Sequence, residues 1–298
     1  MKPEEKIEII ESRLKAATGL LAPCELCPRK CGIDRLRGET GYCGMDADLM
    51  LSSHNLHFGE EPPISGTGGS GTLFLTGCSL KCVFCQNYPI SQLSNGNRLS
   101  IQDFAEAMLD LQKRGAHNIN FVTPTHFAPQ IMAALLIAYR GGLNIPLVYN
   151  CSGYESLAML KLWDGIMDIY MPDMKYADPD ASFSCSSARD YPSVNRIAVL
   201  EMHRQVGHLT MDEHGIALKG LLIRHLVLPG NLAGTEKILR FISESVSPDT
   251  HISLMRQYFP AHRAGSHPLL SRRITDEEYE QARVKLEEFG LANGWIQE

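Results

Sequence analysis

Apolar positions recur along this chain in two rhythms. Ile7, Ile10, Leu14 and Ala17 lie at helical spacing and predict an amphipathic helix over residues 1–20. From residue 72 onward, short apolar runs read as buried strands: TLFLT (72–76), NINFV (118–122), PLVYN (146–150), GIMDIY (165–170), GLLIRHLVLPG (220–230) and HISLM (251–255). Helical patterns lie between them. One opens at Ser100, with Asp103 three residues on, and stops at Gly115. Others are expected at 129–140, 154–163, 186–206 and 235–245, the last capped by Thr235, and a final one opens at Thr275 and Glu278 with Tyr279, Ala282, Leu286 and Phe289 on one face. HLTMDEHGIALKG (208–220) predicts a hairpin turning at 213–215, and GEEPPISGTGGSG (59–71) reads as a breaker-rich linker.

Six strands alternating with helices imply βαβ crossovers, hence an α/β fold with a parallel sheet. A doubly wound sheet and an incomplete barrel of six units satisfy this pattern equally. The expected division is a helix and Cys-rich leader over 1–60, an α/β body over 61–265, and a C-terminal helix packing on it over 266–298.

The bulk numbers narrow the function classes. The chain has 298 residues, 44% hydrophobic and 21% charged, enough to build a core. Its 28 basic and 34 acidic residues leave a net charge of −6, with no basic run to attract nucleic acid. The longest apolar stretch, IMAALLIAY (131–139), is far too short to span a bilayer, and the acidic N-terminal segment is unlike a signal peptide. The expected location is the cytoplasm.

There the nine cysteines would stay reduced, and seven of them fall in two groups. GCSLKCVFCQNY places Cys78, Cys82 and Cys85 directly after the first strand, where βα architectures keep their chemistry. Three thiolates in eight residues suit one corner of an iron–sulfur cube and leave one iron open, where an ordinary cubane takes four. A structural zinc site or a redox thiol set is the alternative; zinc usually takes four protein ligands, and no His lies beside the triplet. The leader carries Cys24, Cys27, Cys31 and Cys43, enough to close a zinc site or a second cubane, with Pro28, Gly32, Gly41 and Gly44 supplying turns. Arg29, Lys30, Arg35 and Arg37 are expected to offset the thiolate charge.

The triplet after the first strand resembles the signature of the radical S-adenosylmethionine (SAM) superfamily. That resemblance implies a partial (β/α)6 TIM-like barrel with a small Cys-rich N-terminal extension. It implies a [4Fe–4S] cluster on Cys78, Cys82 and Cys85 whose open iron is chelated by SAM. Reductive cleavage of SAM then gives a 5′-deoxyadenosyl radical that abstracts a substrate hydrogen. Over residues 72–262 the chain is similar to the pyruvate formate-lyase activating enzymes and their relatives. Phe84 stands where that group packs an aromatic on the adenine, and Gln86–Asn87 where it has His–Asn. Asn150–Cys151–Ser152–Gly153 replaces Asp–Thr–Asn–Gly, which puts Asn150 near the ribose. MPDMK (171–175) carries over Asp173 and Lys175, and IRHLVLPG (223–230) carries over Arg224, a SAM-binding position. The Gly–Gly–Glu that receives the SAM amino group is missing; TPTHF (123–127) occupies its place and offers Thr123 and Thr125. Similar Cys-rich leaders precede a subset of these relatives, and the activases themselves lack one.

His126, Gln257 and Tyr258 also lie at strand ends, whereas His117, His203 and His251 are expected to be solvated or satisfied by structure. Three functions follow. The first is activation of a glycyl radical enzyme, with a reduced flavodoxin- or ferredoxin-type donor. The second is radical SAM modification of a small molecule, peptide or other protein. The third is a non-enzymatic iron–sulfur electron carrier.

Overall fold

The computed structural model describes residues 1–297. Its strands are β1 (Met50–His57), β2 (Ser70–Leu75), β3 (Asn97–Arg98), β4 (Ile119–Val122), β5 (Leu147–Cys151), β6 (Ile169–Pro172), β7 (Thr210–Met211), β8 (Ala217–Leu226), β9 (His251–Met255) and β10 (Gly294–Ile296). Its helices are α1 (Pro3–Gly19), α2 (Pro62–Ser65), α3 (Tyr88–Ser91), α4 (Ile101–Lys113), α5 (Ala128–Arg140), α6 (Leu157–Trp163), α7 (Pro179–Ser186), α8 (Tyr191–Val206), α9 (Thr235–Phe241) and α10 (Asp276–Glu288). The strand order is β10-β9-β8-β6-β5-β4-β2-β1-β3, with β7 paired to β8. The six strands read from the sequence, β2, β4, β5, β6, β8 and β9, run parallel. The sheet is not closed, so this α/β fold is a partial TIM-like barrel.

Strand alternation sorts its residues into two cores. Leu73, Phe121, Tyr149, Tyr170, Ile223 and Leu254 face the helices and share the main core with Phe104 and Trp163. Val148, Ile169, Met171 and Leu222 face the barrel interior, where they meet Ile64. Ile64 belongs to the stretch expected to be a linker. Instead, residues 59–71 pass beneath the barrel: α2 inserts Ile64 as a plug, its carbonyl accepts from Asn118 Nδ2 at 2.7 Å, and Ser70 already starts β2.

Other expectations shift locally. The helix expected over 186–206 is α8, starting at Tyr191, and the polar stretch before it holds a further helix, α7, opened by the Asp178 cap on Asp180 and Ala181 and ended by Ser187, left-handed at φ 50°. Thr235 does not cap α9; Gly234 precedes it, and the Thr235 hydroxyl meets His225 Nε2 at 3.0 Å. Strands β1, β3 and β10 were not expected; β10 extends the sheet beyond β9, so the C-terminal segment contributes a strand as well as α10. The capping residues Ser100 and Thr275 stand as read, accepting from Asp103 N at 3.0 Å and Glu278 N at 3.2 Å.

The leader is stitched into the barrel rather than set beside it. Leu21, Leu26, Met45 and Leu49 join the main core. Arg35, 1% exposed, donates to the carbonyls of Asp46 and of His126, the latter at 2.6 Å. Arg29 donates to the carbonyls of Ser79 at 2.9 Å and Ser186 at 2.8 Å. Both arginines donate to carbonyls, and Arg35 also opposes the burial that raises the Cys43 pKa, while Lys30 and Arg37 are exposed.

Charge-assisted hydrogen bonds contribute roughly 1.5–3 kcal/mol each. Arg35→Ala should therefore cost about 3 kcal/mol. Limited proteolysis of that variant should cut first within residues 20–48, and cleavage elsewhere first would refute the clamp.

Candidate active site

A cavity of about 340 Å³ opens at the C-terminal ends of the parallel strands. It gathers Cys78, Cys82, Phe84, Cys85 and Asn87 from the segment after β2. Thr123 joins from the end of β4, Asn150 from β5, Asp173 and Lys175 from beyond β6, Arg224 from β8, and Gln257 from beyond β9.

The thiol loop starts where the chain must be bare. Gly77 has φ 86°, and a Cβ there would meet Met45 Cγ at 2.6 Å and the Cys43 carbonyl at 3.0 Å. Each sulfur of the triplet has a polar neighbour. Leu80 N donates to Cys78 Sγ at 3.3 Å, Ser186 Oγ donates to Cys82 Sγ at 3.1 Å, and Ser91 Oγ lies 3.2 Å from Cys85 Sγ. Burial, and then the neighbouring Cys82, push the Cys78 thiol up to about 12, and the same causes raise Cys85. Thiols so placed stay protonated until a metal takes the proton's place. Among the described residues, no three His, Cys, Asp or Glu side chains converge closely enough for a single metal ion.

Phe84, 5% exposed, meets the rings of Tyr258 and Tyr176 edge-on at centroid distances of 5.8 and 6.3 Å. Asn87 precedes α3 at the exposed rim. Thr123 holds φ 60°, uncommon for a β-branched residue, with its N–H on the Asn150 carbonyl at 2.8 Å. Lys175 Nζ donates to Asp173 Oδ2 at 2.5 Å. Burial opposes the charge on Lys175, but Asp173 and Cys82 outweigh it and raise the pKa. Behind them, Asn195 of α8 donates to the carbonyls of Gly153 at 3.1 Å and Asp173 at 3.0 Å, so the loops after β5 and β6 share one anchor.

Arg224 finds its counter-charge in the protein. Nη1 lies 3.1 Å from Glu60 Oε2, and Nε lies 3.6 Å from both Glu61 Oε1 and Asp173 Oδ1. Glu60 Oε1 also accepts from Asn120 Nδ2 at 3.2 Å and Asn150 Nδ2 at 3.4 Å. Burial raises the Glu60 pKa, with Arg224 opposing it. Glu60 and Glu61 are functional candidates that the sequence reading missed, since they stood in an apparent linker. One signal did point to them: an Arg in an apolar strand demands an anion.

Thr125 does not reach the cavity. It begins a 3₁₀ turn (Thr125–Phe127) and donates to Glu155 Oε1 at 2.7 Å, on the helix side of the sheet, where Tyr149 OH also donates to Glu155 Oε2 at 2.9 Å. His126 is buried with Nε2 2.7 Å from the Thr76 carbonyl, and Tyr258 OH donates to the Leu270 carbonyl at 2.6 Å; both are structural at these positions. His117 Nε2 accepts from Gly68 N at 2.9 Å, His203 packs on His208, and His251 stacks on Trp295.

A mostly parallel partial barrel with three thiols on the first βα loop is the architecture of a radical SAM protein. The radical SAM superfamily model matches residues 72–242, more than half of the chain, and the chain belongs to that superfamily. Over 295 residues it is 29% identical to an uncharacterized protein of Methanocaldococcus jannaschii, with 96% of this chain and 80% of that protein covered. Among solved structures it is similar to SuiB of Streptococcus suis bound to S-adenosylmethionine, with TM-score 0.48 and 12% identity. That match covers 74% of this chain and 48% of the other, so the chain spans about half the length of SuiB. No helix among the described residues is long and apolar enough to cross a membrane.

Two predictions follow from these buried charges. Arg224→Ala strands three carboxylates and should destabilise the protein by about 3–5 kcal/mol. Adding Glu60→Gln should recover part of the loss, and additive effects in denaturant titrations would refute the coupling. Glu155, 2% exposed, is raised by burial from 4.5 to about 7. The folded state therefore holds a proton that the unfolded chain releases near 4.5, so this contribution is full below about 4.5 and is lost as pH rises through 7. Wild-type stability should fall by up to about 1.4 kcal/mol per pH unit across that window, and Glu155→Gln should flatten the slope. An unchanged slope would place the Glu155 titration elsewhere.

Proposed function

We propose that this radical SAM enzyme abstracts hydrogen from a polypeptide presented at the cavity mouth, a glycine of a glycyl radical enzyme being the first candidate. The observation that carries this reading is the size of the cavity. At about 340 Å³ it lies at the low end of the ~300–1,000 Å³ range for small-molecule sites. A nucleoside joined to an amino acid fills most of such a space, which leaves a substrate to approach from outside. The resemblance of MPDMK and IRHLVLPG to segments of the pyruvate formate-lyase activating enzymes supports the same reading.

The donor set fits the cofactors. Cys78, Cys82 and Cys85 would hold the [4Fe–4S] cluster, and three ligands leave one iron for the amino-acid end of SAM. When bound, the pair supplies reductive one-electron cleavage of SAM to a 5′-deoxyadenosyl radical. The chain's own residues bind, orient and shield. Phe84 offers an apolar edge fixed by two tyrosines. Lys175 places a cation beside the thiols, suited to a carboxylate. Asn150 presents an amide already oriented by Glu60. Arg224 is ringed by Glu60, Glu61 and Asp173 and hydrogen-bonds only Glu60, through Nη1, so it holds these carboxylates in place and keeps Nε free of a hydrogen-bond partner.

Under dithionite, anaerobically reconstituted protein should form 5′-deoxyadenosine from SAM, and Cys82→Ala should reduce this to background. A cluster-bearing wild type without SAM cleavage would favour an electron carrier instead. Incubation with glycyl radical enzymes, reduced flavodoxin and SAM should yield a protein-centred glycyl signal in electron paramagnetic resonance. Silence with every candidate, alongside turnover of a peptide or small molecule, would overturn the activase reading.

A further inference from the structure

The four leader cysteines take no part in the site above, yet they repeat its local construction. In the barrel loop, backbone N–H groups two residues on are directed at the sulfurs: Leu80 to Cys78 and Asn87 to Cys85. In the leader, Arg29 N–H is directed at Cys27 in the same way, and Tyr42 N donates to Cys31 Sγ at 3.4 Å. Amides aimed at sulfur favour thiolate ligands. The loop is closed by Cys24 N on the Ile33 carbonyl at 2.8 Å and Gly32 N on the Cys24 carbonyl at 3.1 Å. Gly41 is packed so tightly that a Cβ there would lie 3.0 Å from Cys31 Sγ.

Zinc and a cubane compete for four cysteines, and position separates them. The leader sulfurs lie within electrostatic reach of one another, Cys27 with Cys43 and Cys24, and Cys43 with Cys24 and Cys31. A redox-active cubane gains from standing against the barrel thiol loop, and a redox-inert zinc ion does not.

The leader also touches the barrel thiol loop directly. The Cys43 carbonyl lies 3.0 Å from where a Cβ of Gly77, the neighbour of Cys78, would stand. Arg29 donates to the Ser79 carbonyl, inside the barrel loop, and to that of Ser186, whose hydroxyl donates to Cys82. The Arg29 guanidinium lies 3.9 Å from the Tyr42 ring centroid and Lys81 Nζ lies 5.4 Å from it, so one cation from the leader and one from the barrel thiol loop meet on the same ring. Positive charge there favours the reduced, more negative state of any cluster on either side. Cys31 is half-buried and its neighbour Lys30 is exposed, so this end of the leader is open to a donor protein.

We infer that Cys24, Cys27, Cys31 and Cys43 hold a second, fully ligated [4Fe–4S] cluster that relays electrons to the barrel cluster. One electron from a reduced flavodoxin- or ferredoxin-type protein would reduce the leader cluster, and the same electron would then pass to the barrel cluster, which returns the leader cluster to its oxidised state. This inference rests on the barrel cluster proposed above for its acceptor, and it adds an entry route for the electron.

Metal analysis and spectroscopy of anaerobically purified full-length protein test it. Wild type should contain about eight irons and eight sulfides per chain, without stoichiometric zinc. The Cys78→Ala, Cys82→Ala, Cys85→Ala variant should keep about four irons, with a reduced-cluster resonance that SAM does not perturb. The Cys24→Ala, Cys27→Ala variant should keep about four irons whose resonance SAM does perturb. In that variant the ratio of flavodoxin-driven to dithionite-driven 5′-deoxyadenosine formation should fall at least about tenfold. About four irons and one zinc in the wild type would overturn the second cluster and leave the radical SAM reading intact. An unchanged ratio would overturn the relay. Iron retained by the barrel-triplet variant and lost wholly from the leader variant would sink the barrel cluster while leaving the leader cluster standing.

Discussion

A guanidinium inside a barrel is tolerable only if carboxylates surround it, and this molecule is arranged around that requirement. Arg224 sits on the inward face of β8, where its neighbours along the barrel axis are apolar. Its counter-charges come from two places: Glu60 and Glu61 ahead of α2, and Asp173 beyond β6. Meeting that demand draws residues 59–61 up into the barrel, and Ile64 follows to fill the space below. The same pull fixes Asn120 and Asn150 through Glu60. The floor of the cavity, the plug and the orientation of two strand-end amides therefore depend on a single charge cluster.

The inward register of the strands explains how much could be read beforehand. Val148 then Asn150, and Leu222 then Arg224, change from apolar to polar along one face, and the change marks the level where the cavity begins. Asn150, Asp173 and Arg224 were singled out through the resemblance of their segments to a known family, and each stands at this change of character at a strand's end. Glu60 and Glu61 were not, because glycines and prolines around them look like a linker and no periodicity marks an interior loop. Strand β1 escaped for a related reason: SSHNLH is mostly polar, as an outer antiparallel strand can be when only one side packs. Helix α7 escaped because it is short and polar, PDASFSCS, and only its Asp178 cap and the left-handed Ser187 that ends it mark it off from a loop.

Thr125 shows how a correct alignment of segments can still misplace a side chain. TPTHF does follow β4, and Thr123 does face the cavity. The 3₁₀ turn then rotates Thr125 through the sheet onto Glu155. The carboxylate that a Gly–Gly–Glu segment would bring to the end of β4 is therefore absent from that strand. Negative charge in the cavity instead rises from the floor, through Glu60 with Glu61 behind Arg224, and arrives from the side, through Asp173. Lys175 and Arg224 balance only part of it, and a ligand with a cationic centre suits what remains.

The leader has too few residues to bury a core of its own, and small segments in that position need either a staple or a host. This one uses a host. Leu21, Leu26, Met45 and Leu49 enter the barrel's core, and Arg35 ties the loop to the carbonyl of His126 at the end of β4. His126 in turn grips the Thr76 carbonyl at the end of β2, immediately before Gly77. Burial, and then Arg35, lower the His126 pKa to about 3, so the ring stays neutral and can make that contact at any ordinary pH. A chain of contacts thus runs from the leader through Arg35 and His126 to the residue that begins the thiol loop. The leader and the loop are positioned by the same atoms, so a displacement of one is transmitted to the other. That mechanical coupling is independent of which metal the leader holds, and it explains why a Cys-rich extension with no core of its own can be built onto the entrance of a barrel site.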